Sequence, residues 1–458
     1  MEVFVNRSEE LAALERWWNE AETSRIALVW GRRRVGKTAL IERFASGRRT
    51  LFHTASARPL PDELHLFARS LAPFAAEIGR DCSHRPPADW EEALTAAADC
   101  AREQPLLLVI DELPELLRTT PELPSVLRAI LERAGPSTHL RRLLCGSAVR
   151  VMEAMRQERE TLYGRIDLSL LVHPFRPHEI APMLGSLAPP ERALVWGLLG
   201  GIPLYLSRWR CEQDPRSNLL HLVCSPGGKL LEEGRLVLAT EADAGDLAQR
   251  TLRAIASGRT KHAELRSALR ADPSRTLERL IELRLIERLE AVTAHGLPTR
   301  RRTYRIPDNF LAFWLALIEP SSGEIERGLG PSIVDAMIAA LDDHMGPRYE
   351  DAFRTTLRRL AAAGCLGPQI VAVGPFWSDR PSVEIDAVVL AGRRREAVLV
   401  GEAKWRRVVD ARPLLADLRR KSEALPIRAE HLRYALCARE RVDHAEPTTL
   451  ALGARNIF

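Results

Sequence analysis

The stretch IALVWGRRRVGKTALIERFA, residues 26–45, decides the fold. Its first five residues are apolar without alternation, the pattern of a strand buried on both faces. Gly31 ends that run, and Ala39 to Ala45 read as a helix, so the implied order is strand, glycine loop, helix. The segment between, GRRRVGKT, fits the spacing G-x-x-x-x-G-K-[ST]. Glycines at those positions let the backbone wrap so that N–H groups and a helix N-terminus face phosphate oxygens. Lys37 then reaches the β and γ phosphates, and Thr38 places a hydroxyl on Mg²⁺. The residues expected to line a nucleotide are therefore Gly31, Arg32, Arg33, Arg34, Val35, Gly36, Lys37, Thr38 and Ala39, with ATP and Mg²⁺ as the expected ligands.

Further along, LLLVI (106–110) runs into Asp111-Glu112, and LLC (143–145) runs into Gly146-Ser147. Amphipathic stretches at 88–102 and 121–134 separate these apolar runs, which predicts parallel strands of an α/β sheet whose polar ends share the edge where such sheets bind ligands. Asp111 is expected to hold the metal through water and Glu112 to polarise an attacking water. Ser147 is expected at the γ-phosphate or the lytic water. The plainer readings are an acidic pair opening a helix and an N-capping serine.

The pattern from about 176 to 235 is helical, broken at Gly200-Gly201-Ile202-Pro203, which suits a lid after the sheet. Residues 246–258, 262–270 and 274–286 read as three short helices, followed by ERLEAV, a polar turn from His295 to Arg302, and TYRI. Three helices and a basic hairpin outline a winged helix. In it, 274–286 would be the recognition helix, offering Ser274, Arg275 and Arg279 to DNA, while Arg300 to Arg302 meet phosphates. The alternative is a module that docks on the lid and reports nucleotide state. The expected organisation of this α/β multidomain chain is a nucleotide-binding domain (1–175), helical lid (176–240), winged helix (241–310), helical connector (311–345) and C-terminal domain (346–458).

In the last segment, Val383 to Leu390 and Ala397 to Ala403 alternate as strands around the turn GRRRE. Side chains two apart share a face, so Glu384 with Asp386, and Glu402 with Lys404, project together. Asp386 and Glu402 converging at one edge would bind Mg²⁺, and Lys404 beside them would orient or deprotonate a water for attack on a phosphodiester. An Asp followed after about sixteen residues by Glu-x-Lys resembles the PD-(D/E)xK nuclease core. That resemblance implies a restriction-endonuclease-like fold and makes Glu350 the helix acid that completes the metal set. The plainer reading is a charged surface hairpin.

The chain has 458 residues, a length that accommodates about three domains. Of 66 Lys and Arg only five are Lys, at 37, 229, 261, 404 and 421. Each is thus a place where a compact ammonium stands in a chain that otherwise writes Arg. Residues 1–240 carry 31 basic and 31 acidic residues, whereas 241–310 carry 14 against 10 and 346–458 carry 20 against 14, so a polyanionic partner is expected downstream. The seven Cys are never spaced as CxxC, and no HExxH suggests zinc. The start MEVFVNRSEE lacks a basic region leading into an apolar core, and the longest apolar stretch, Phe310 to Ile318, is about half a membrane span. A cytoplasmic protein with reduced thiols and no membrane partner is expected. No helicase-type motif series is found.

The segments FVNRSEELAAL (4–14), GRRRVGKT, LLVIDEL, LLCGSA, LYGR (162–165) and GGIPLYL (200–206), in that order, resemble the archaeal-type ATPases of the STAND-like P-loop group. The resemblance implies that Asn6 and Arg7 lie by the adenine, that the element with Gly201 and Pro203 closes over the nucleotide, and that Arg165 serves as an arginine finger. It also implies a winged helix and a DUF234-like C-terminal domain related to restriction-type nucleases. The expected function is a Mg²⁺-dependent ATPase coupled to DNA binding and nuclease action. The competing expectation is an ATP-controlled signalling or scaffold switch that forms a homo-oligomer and whose C-terminal domain only binds a partner.

Overall fold

The computed structural model describes residues 4–20, 25–134, 137–158, 160–241, 245–294 and 303–458. It divides into two compact units, 1–174 and 175–458. No helix among the described residues is long and apolar enough to cross a membrane.

The first unit is a parallel five-stranded sheet with helices around it. Its strands are β1 (Arg25–Trp30), β2 (Thr50–Thr54), β3 (Leu106–Asp111), β4 (Leu140–Gly146) and β5 (Leu168–Leu171), ordered β2-β3-β4-β1-β5. The three central strands are those the apolar runs predicted, and β3 and β4 are buried along their whole length. The edge strands β2 (TLFHT) and β5 (LSLL) escape a reading based on apolar runs, because an edge strand leaves one side less covered and tolerates polar residues. Among the described residues seven α-helices accompany them: α1 (Ser8–Asn19), α2 (Lys37–Ala45), α3 (Leu60–Glu77), α4 (Trp90–Asp99), α5 (Leu113–Thr119), α6 (Leu123–Ala134) and α7 (Val149–Ala154). Helix α2 starts two residues earlier than its apolar face announced, because the Gly36 carbonyl already accepts from Leu40 N at 3.0 Å. Ile26, Leu28, Leu108, Ile110 and Leu144 share one core with Phe67, Trp90 and Leu127 from the helices.

The second unit opens with helices α8 (Pro189–Leu199), α9 (Pro203–Leu206), α10 (Pro215–Leu222) and α11 (Glu233–Glu241). Then come α12 (Asp246–Ala256), α13 (His262–Leu269), α14 (Ser274–Glu282) and the antiparallel pair β6 (Glu287–Leu289) and β7 (Thr303–Arg305). The helices are shorter at their C-termini than their sequence spans, and the turn bearing Arg300 to Arg302 lies outside the described residues. Short helices α15 (Asn309–Phe313) and α16 (Ser322–Glu324) lead to α17 (Gly330–Ala339) and the long α18 (Leu341–Ala362).

A mixed sheet follows, of which the alternation revealed only two strands. These are β9 (Ser382–Ala391) and β10 (Glu396–Lys404), and they are joined by β8 (Ile370–Asp379), β12 (Arg428–Ala438) and β14 (Leu450–Leu452) in the order β14-β12-β10-β9-β8. A small parallel pair, β11 (Val408–Asp410) with β13 (Arg441–Asp443), lies beside it, and α19 (Ala411–Ser422) carries the chain over between β10 and β12. The chain ends in α20 (Ala454–Ile457). Strands β8, β9 and β10 pair antiparallel, while β10, β12 and β14 pair parallel, which makes β10 the centre of the sheet. Helix α18 lies against it at Gly401, where a Cβ would stand 2.7 Å from the Phe353 ring and 2.9 Å from the Ala435 carbonyl. Ala291 shares the core of this sheet with Phe376, Val388, Val400, Leu415 and Leu436, so the end of the hairpin region and the C-terminal sheet fold around common apolar residues. Each such buried aliphatic side chain contributes about 1.5–3 kcal/mol.

Candidate functional site

At the end of β1 the chain turns sharply. Gly31 has φ +150°, and a Cβ there would lie 2.4 Å from the Val172 carbonyl oxygen, so only glycine fits. Positive φ at Arg34 and Gly36 then coils the loop into α2. Lys37 is buried, and its Nζ donates to the carbonyls of Gly31 at 3.0 Å and Arg32 at 2.9 Å. Val35 is buried beneath the loop, while Arg33, Thr38 and Ala39 are exposed on it.

Strand β4 separates β1 from β3, so its end falls between the loop and the acidic pair. The Thr38 hydroxyl donates to Asp111 Oδ2 at 2.9 Å, and the Glu112 backbone N–H donates to Asp111 Oδ1 at 3.0 Å. Glu112 adopts φ +52° ahead of α5, and its Oε2 accepts from the Ser147 hydroxyl at 3.0 Å. The sheet edge thus gathers Lys37, Thr38, Asp111, Glu112 and Ser147, five residues spread over 110 positions. The pairing of a Thr hydroxyl with a carboxylate is an oxygen-only donor set that suits a hard cation such as Mg²⁺. Cys145, one strand position before this edge, stays a thiol because burial, with the Asp111 charge beside it, raises its pKa well above the usual value.

Asn6 and Arg7 both take positive φ, and Arg7 is buried with its guanidinium donating to the Val35 carbonyl at 2.9 Å and to Glu10 at 2.8 Å. The segment before α1 is therefore pinned to the phosphate loop itself. Arg165 forms an exposed pair with Glu132 at 2.7 Å. Pro203 opens α9 in the second unit, where the Gly201 carbonyl accepts from Phe175 N at 2.7 Å. On α14, Arg275 and Arg279 are exposed, whereas the Ser274 hydroxyl donates to Asp272 at 2.7 Å and lies 3.2 Å from His262 Nε2.

A second constellation forms on the C-terminal sheet. Asp386 on β9 accepts at Oδ2 from the Ala403 N–H of β10 at 2.9 Å, which ties the two strands at the level of the acids. Glu402 is buried on β10, and Lys404 Nζ donates to its Oε1 at 2.7 Å while standing 4.0 Å from Asp386 Oδ2. Glu384, on the same strand as Asp386, remains exposed. Glu350 projects from α18 beside Arg354, 3.7 Å away, and the buried Arg354 guanidinium donates to the Asp386 carbonyl at 2.9 Å. Burial and then the Glu402 charge push Asp386 up to about 6, and burial and then the Asp386 charge push Glu350 up to about 7. Burial works against the Lys404 ammonium, but its hydrogen bond to Glu402 and the Asp386 charge outweigh it and hold its pKa above the usual value. Carboxyls whose ionisation is resisted this way are relieved by a cation, and here the Lys404 ammonium is that cation for Glu402. Among the described residues no three His, Cys, Asp or Glu side chains form a group ready to hold a metal, so Glu350 stands beside the Asp386–Glu402 pair without completing a set.

One member of this cluster gave no local signal. Lys421, near the end of α19, reaches Glu402 Oε2 at 3.2 Å and Asp417 at 2.9 Å. Only the scarcity of lysine marked it, because nothing in its neighbouring sequence says that α19 returns over β10.

Residues 4–209 match the family model of an ATPase domain found predominantly in Archaea, and residues 314–414 match that of archaeal and bacterial proteins of unknown function. Residues 4–209 thus resemble an archaeal-type ATPase domain, and residues 314–414 resemble the second family. The chain is 25% identical over 445 residues to an uncharacterized protein of Methanocaldococcus jannaschii, covering 96% of both chains. A second protein of that organism, an uncharacterized ATP-binding protein, is 55% identical over 47 residues, which span 10% of this chain and 78% of the relative. Among solved structures, the Walker-type ATPase of Pyrococcus abyssi superposes with a TM-score of 0.54 at 20% identity, over 68% of this chain and 96% of that one, so the two share a fold. This chain is an ATP-binding, ATPase-like protein with the α/β architecture of P-loop ATPases.

Proposed function

We propose that the first unit hydrolyses ATP·Mg²⁺ and that the second unit engages nucleic acid and cleaves it at the Asp386–Glu402 pair. In the first unit the loop backbone from Gly31 to Ala39 would cradle the phosphates, with Lys37 turning from the Gly31 and Arg32 carbonyls to the β and γ oxygens. Thr38 and Asp111 would hold Mg²⁺, which when bound neutralises charge on the phosphates. Glu112 would orient a water toward the γ-phosphorus, and its hydrogen bond from Ser147 supports a role for that serine in placing the carboxylate. Asn6 and Arg7 complete the nucleotide site in this reading.

In the second unit, residues 241–310 would act as a winged helix that offers Arg275 and Arg279 to DNA phosphates. The observation that carries the nuclease reading is the single one that Asp386 and Glu402, from adjacent central strands, meet with the Lys404 ammonium between them. Glu402 is buried at the centre of a sheet, where an idle carboxylate is costly. Asp386 and Glu402 would hold Mg²⁺, which when bound polarises the phosphodiester. Lys404 would orient the water that adds to phosphorus as the bridging P–O bond breaks and the leaving oxygen takes a proton. The seven free cysteines fit a reducing, cytoplasmic setting.

A specific observation favours a second reading. Two ammonium groups already neutralise Glu402, an arrangement that also serves a domain that binds a partner without cutting, under control of an ATP-driven homo-oligomer. Incubating the purified chain with ATP and Mg²⁺ or Mn²⁺ against duplex, single-stranded DNA and RNA separates the two. Cleavage that Asp386→Ala abolishes is expected; intact substrates with all three nucleic acids select the partner-binding switch.

A further inference from the structure

The run Arg419-Arg420-Lys421 at the end of α19 sends its three cations to different places. Arg419 pairs with Glu446 and Arg420 with Asp417, with side chains 50% and 68% exposed. Lys421 turns inward, 17% exposed, to Glu402 Oε2 at 3.2 Å and Oε1 at 3.3 Å, with Asp417 at 2.9 Å. The inward position is filled by one of five lysines in a chain with 61 arginines. Lys404 repeats the choice: it faces Glu402 just before Arg406 and Arg407. The physical distinction is that an ammonium is compact, rotates its three donors freely, and acts on phosphate as a point charge, where a guanidinium needs room for a planar fork.

A single carboxylate does not require two cations. Glu402 has its Oε1 held by Lys404 at 2.7 Å, so Lys421 is the longer and weaker of its partners. Its tie to Asp417, four residues back on the same helix, keeps it at the site when Glu402 is engaged elsewhere. An ammonium tethered in this way, 3.2 Å from one member of the carboxylate pair, is placed to meet an anion that approaches the pair.

We infer that Lys421 is a substrate-positioning residue of the C-terminal site, whose ammonium takes a phosphate oxygen of a nucleic-acid backbone; this rests on reading Asp386 and Glu402 as the cation-binding pair. When the pair holds its cation, Glu402 releases Lys421, and the ammonium swings about Asp417 to the phosphate.

The test is binding of fluorescent duplex DNA, single-stranded DNA and RNA by the full chain in Ca²⁺, followed by anisotropy over a range of salt. Lys421→Ala should weaken binding about tenfold. For duplex it should also lower the slope of log affinity against log salt by about 0.9, the signature of one phosphate contact. Lys421→Arg should restore the slope, and Arg420→Ala, which removes the same formal charge from the adjacent exposed position, should leave affinity within about twofold of wild type. A merely structural Lys421 would leave the slope where it is. Lys421→Gln, which keeps most of the stem, carries the same test if the alanine variant does not fold. Wild-type affinity and slope in Lys421→Ala, or an equal loss in Arg420→Ala, overturns the inference alone. Failure of the wild type to bind any of the three nucleic acids overturns the reading of the pair and the inference with it.

Discussion

The two sites of this chain use the same side chain in opposite electrostatic settings. Lys37 donates to the carbonyl dipoles of Gly31 and Arg32, within the loop itself. Lys404 and Lys421 rest on the Glu402 carboxylate, so their charge is cancelled until something else occupies that carboxylate. The first arrangement draws on backbone dipoles; the second is an internal ion pair. A phosphate loop built from consecutive residues can draw on its own backbone, because N–H groups and carbonyls share the work. A site made of side chains on a central strand must neutralise its own acid, since a buried unpaired carboxylate costs several kcal/mol.

The largest effect should come from Lys37→Ala. Calorimetry should show ATP affinity reduced at least about 100-fold, since the ammonium that would meet the phosphates is lost while the backbone N–H groups of the loop remain; wild-type affinity in the variant would overturn the role given to the loop. Next, Glu112→Gln should keep ATP affinity while lowering steady-state hydrolysis by about 10²–10³-fold, read by phosphate release. The contrast between the two sites is sharpened by stability. Replacing Lys404 and Lys421 together by Met strands Glu402 in the sheet and should cost about 2 kcal/mol in denaturant unfolding, whereas Lys37→Ala should cost less than about 1 kcal/mol. The reverse order would break the comparison.

The smallest effect gives the second unit an acid limb of its own. Burial, followed by the charge of Arg348, holds His344 down to about 3, with its ring nitrogen 3.3 Å from the Gly197 carbonyl. A histidine depressed in the folded state stabilises it above the unfolded value near 6.5, and that stability is lost as pH falls toward 3, by at most about 1.4 kcal/mol per pH unit. Thermal unfolding from pH 7 to 5 should therefore fall less steeply in His344→Gln than in the wild type. Parallel profiles would show that the ring is not held neutral.

Sequence alone settled what depends on contiguous residues. GRRRVGKT after an apolar run read as a glycine loop between strand and helix, and LLLVI read as a strand buried on both faces. Spacing along β9 and β10 put Glu402 and Lys404 on one face and made their convergence with Asp386 an expectation, while the register that joins Asp386 to Ala403 came from the pairing of the strands. Tertiary structure decided the rest. It inserted β4 between the loop and Asp111, so that Ser147 meets Glu112, and it pinned Arg7 to the Val35 carbonyl. It folded Ala291 into the C-terminal core, and it returned α19 over β10 to bring Lys421 to Glu402. Those contacts join residues far apart in the chain, and their cause is the path of crossover connections and the packing of helix on sheet, for which no local pattern of residues codes.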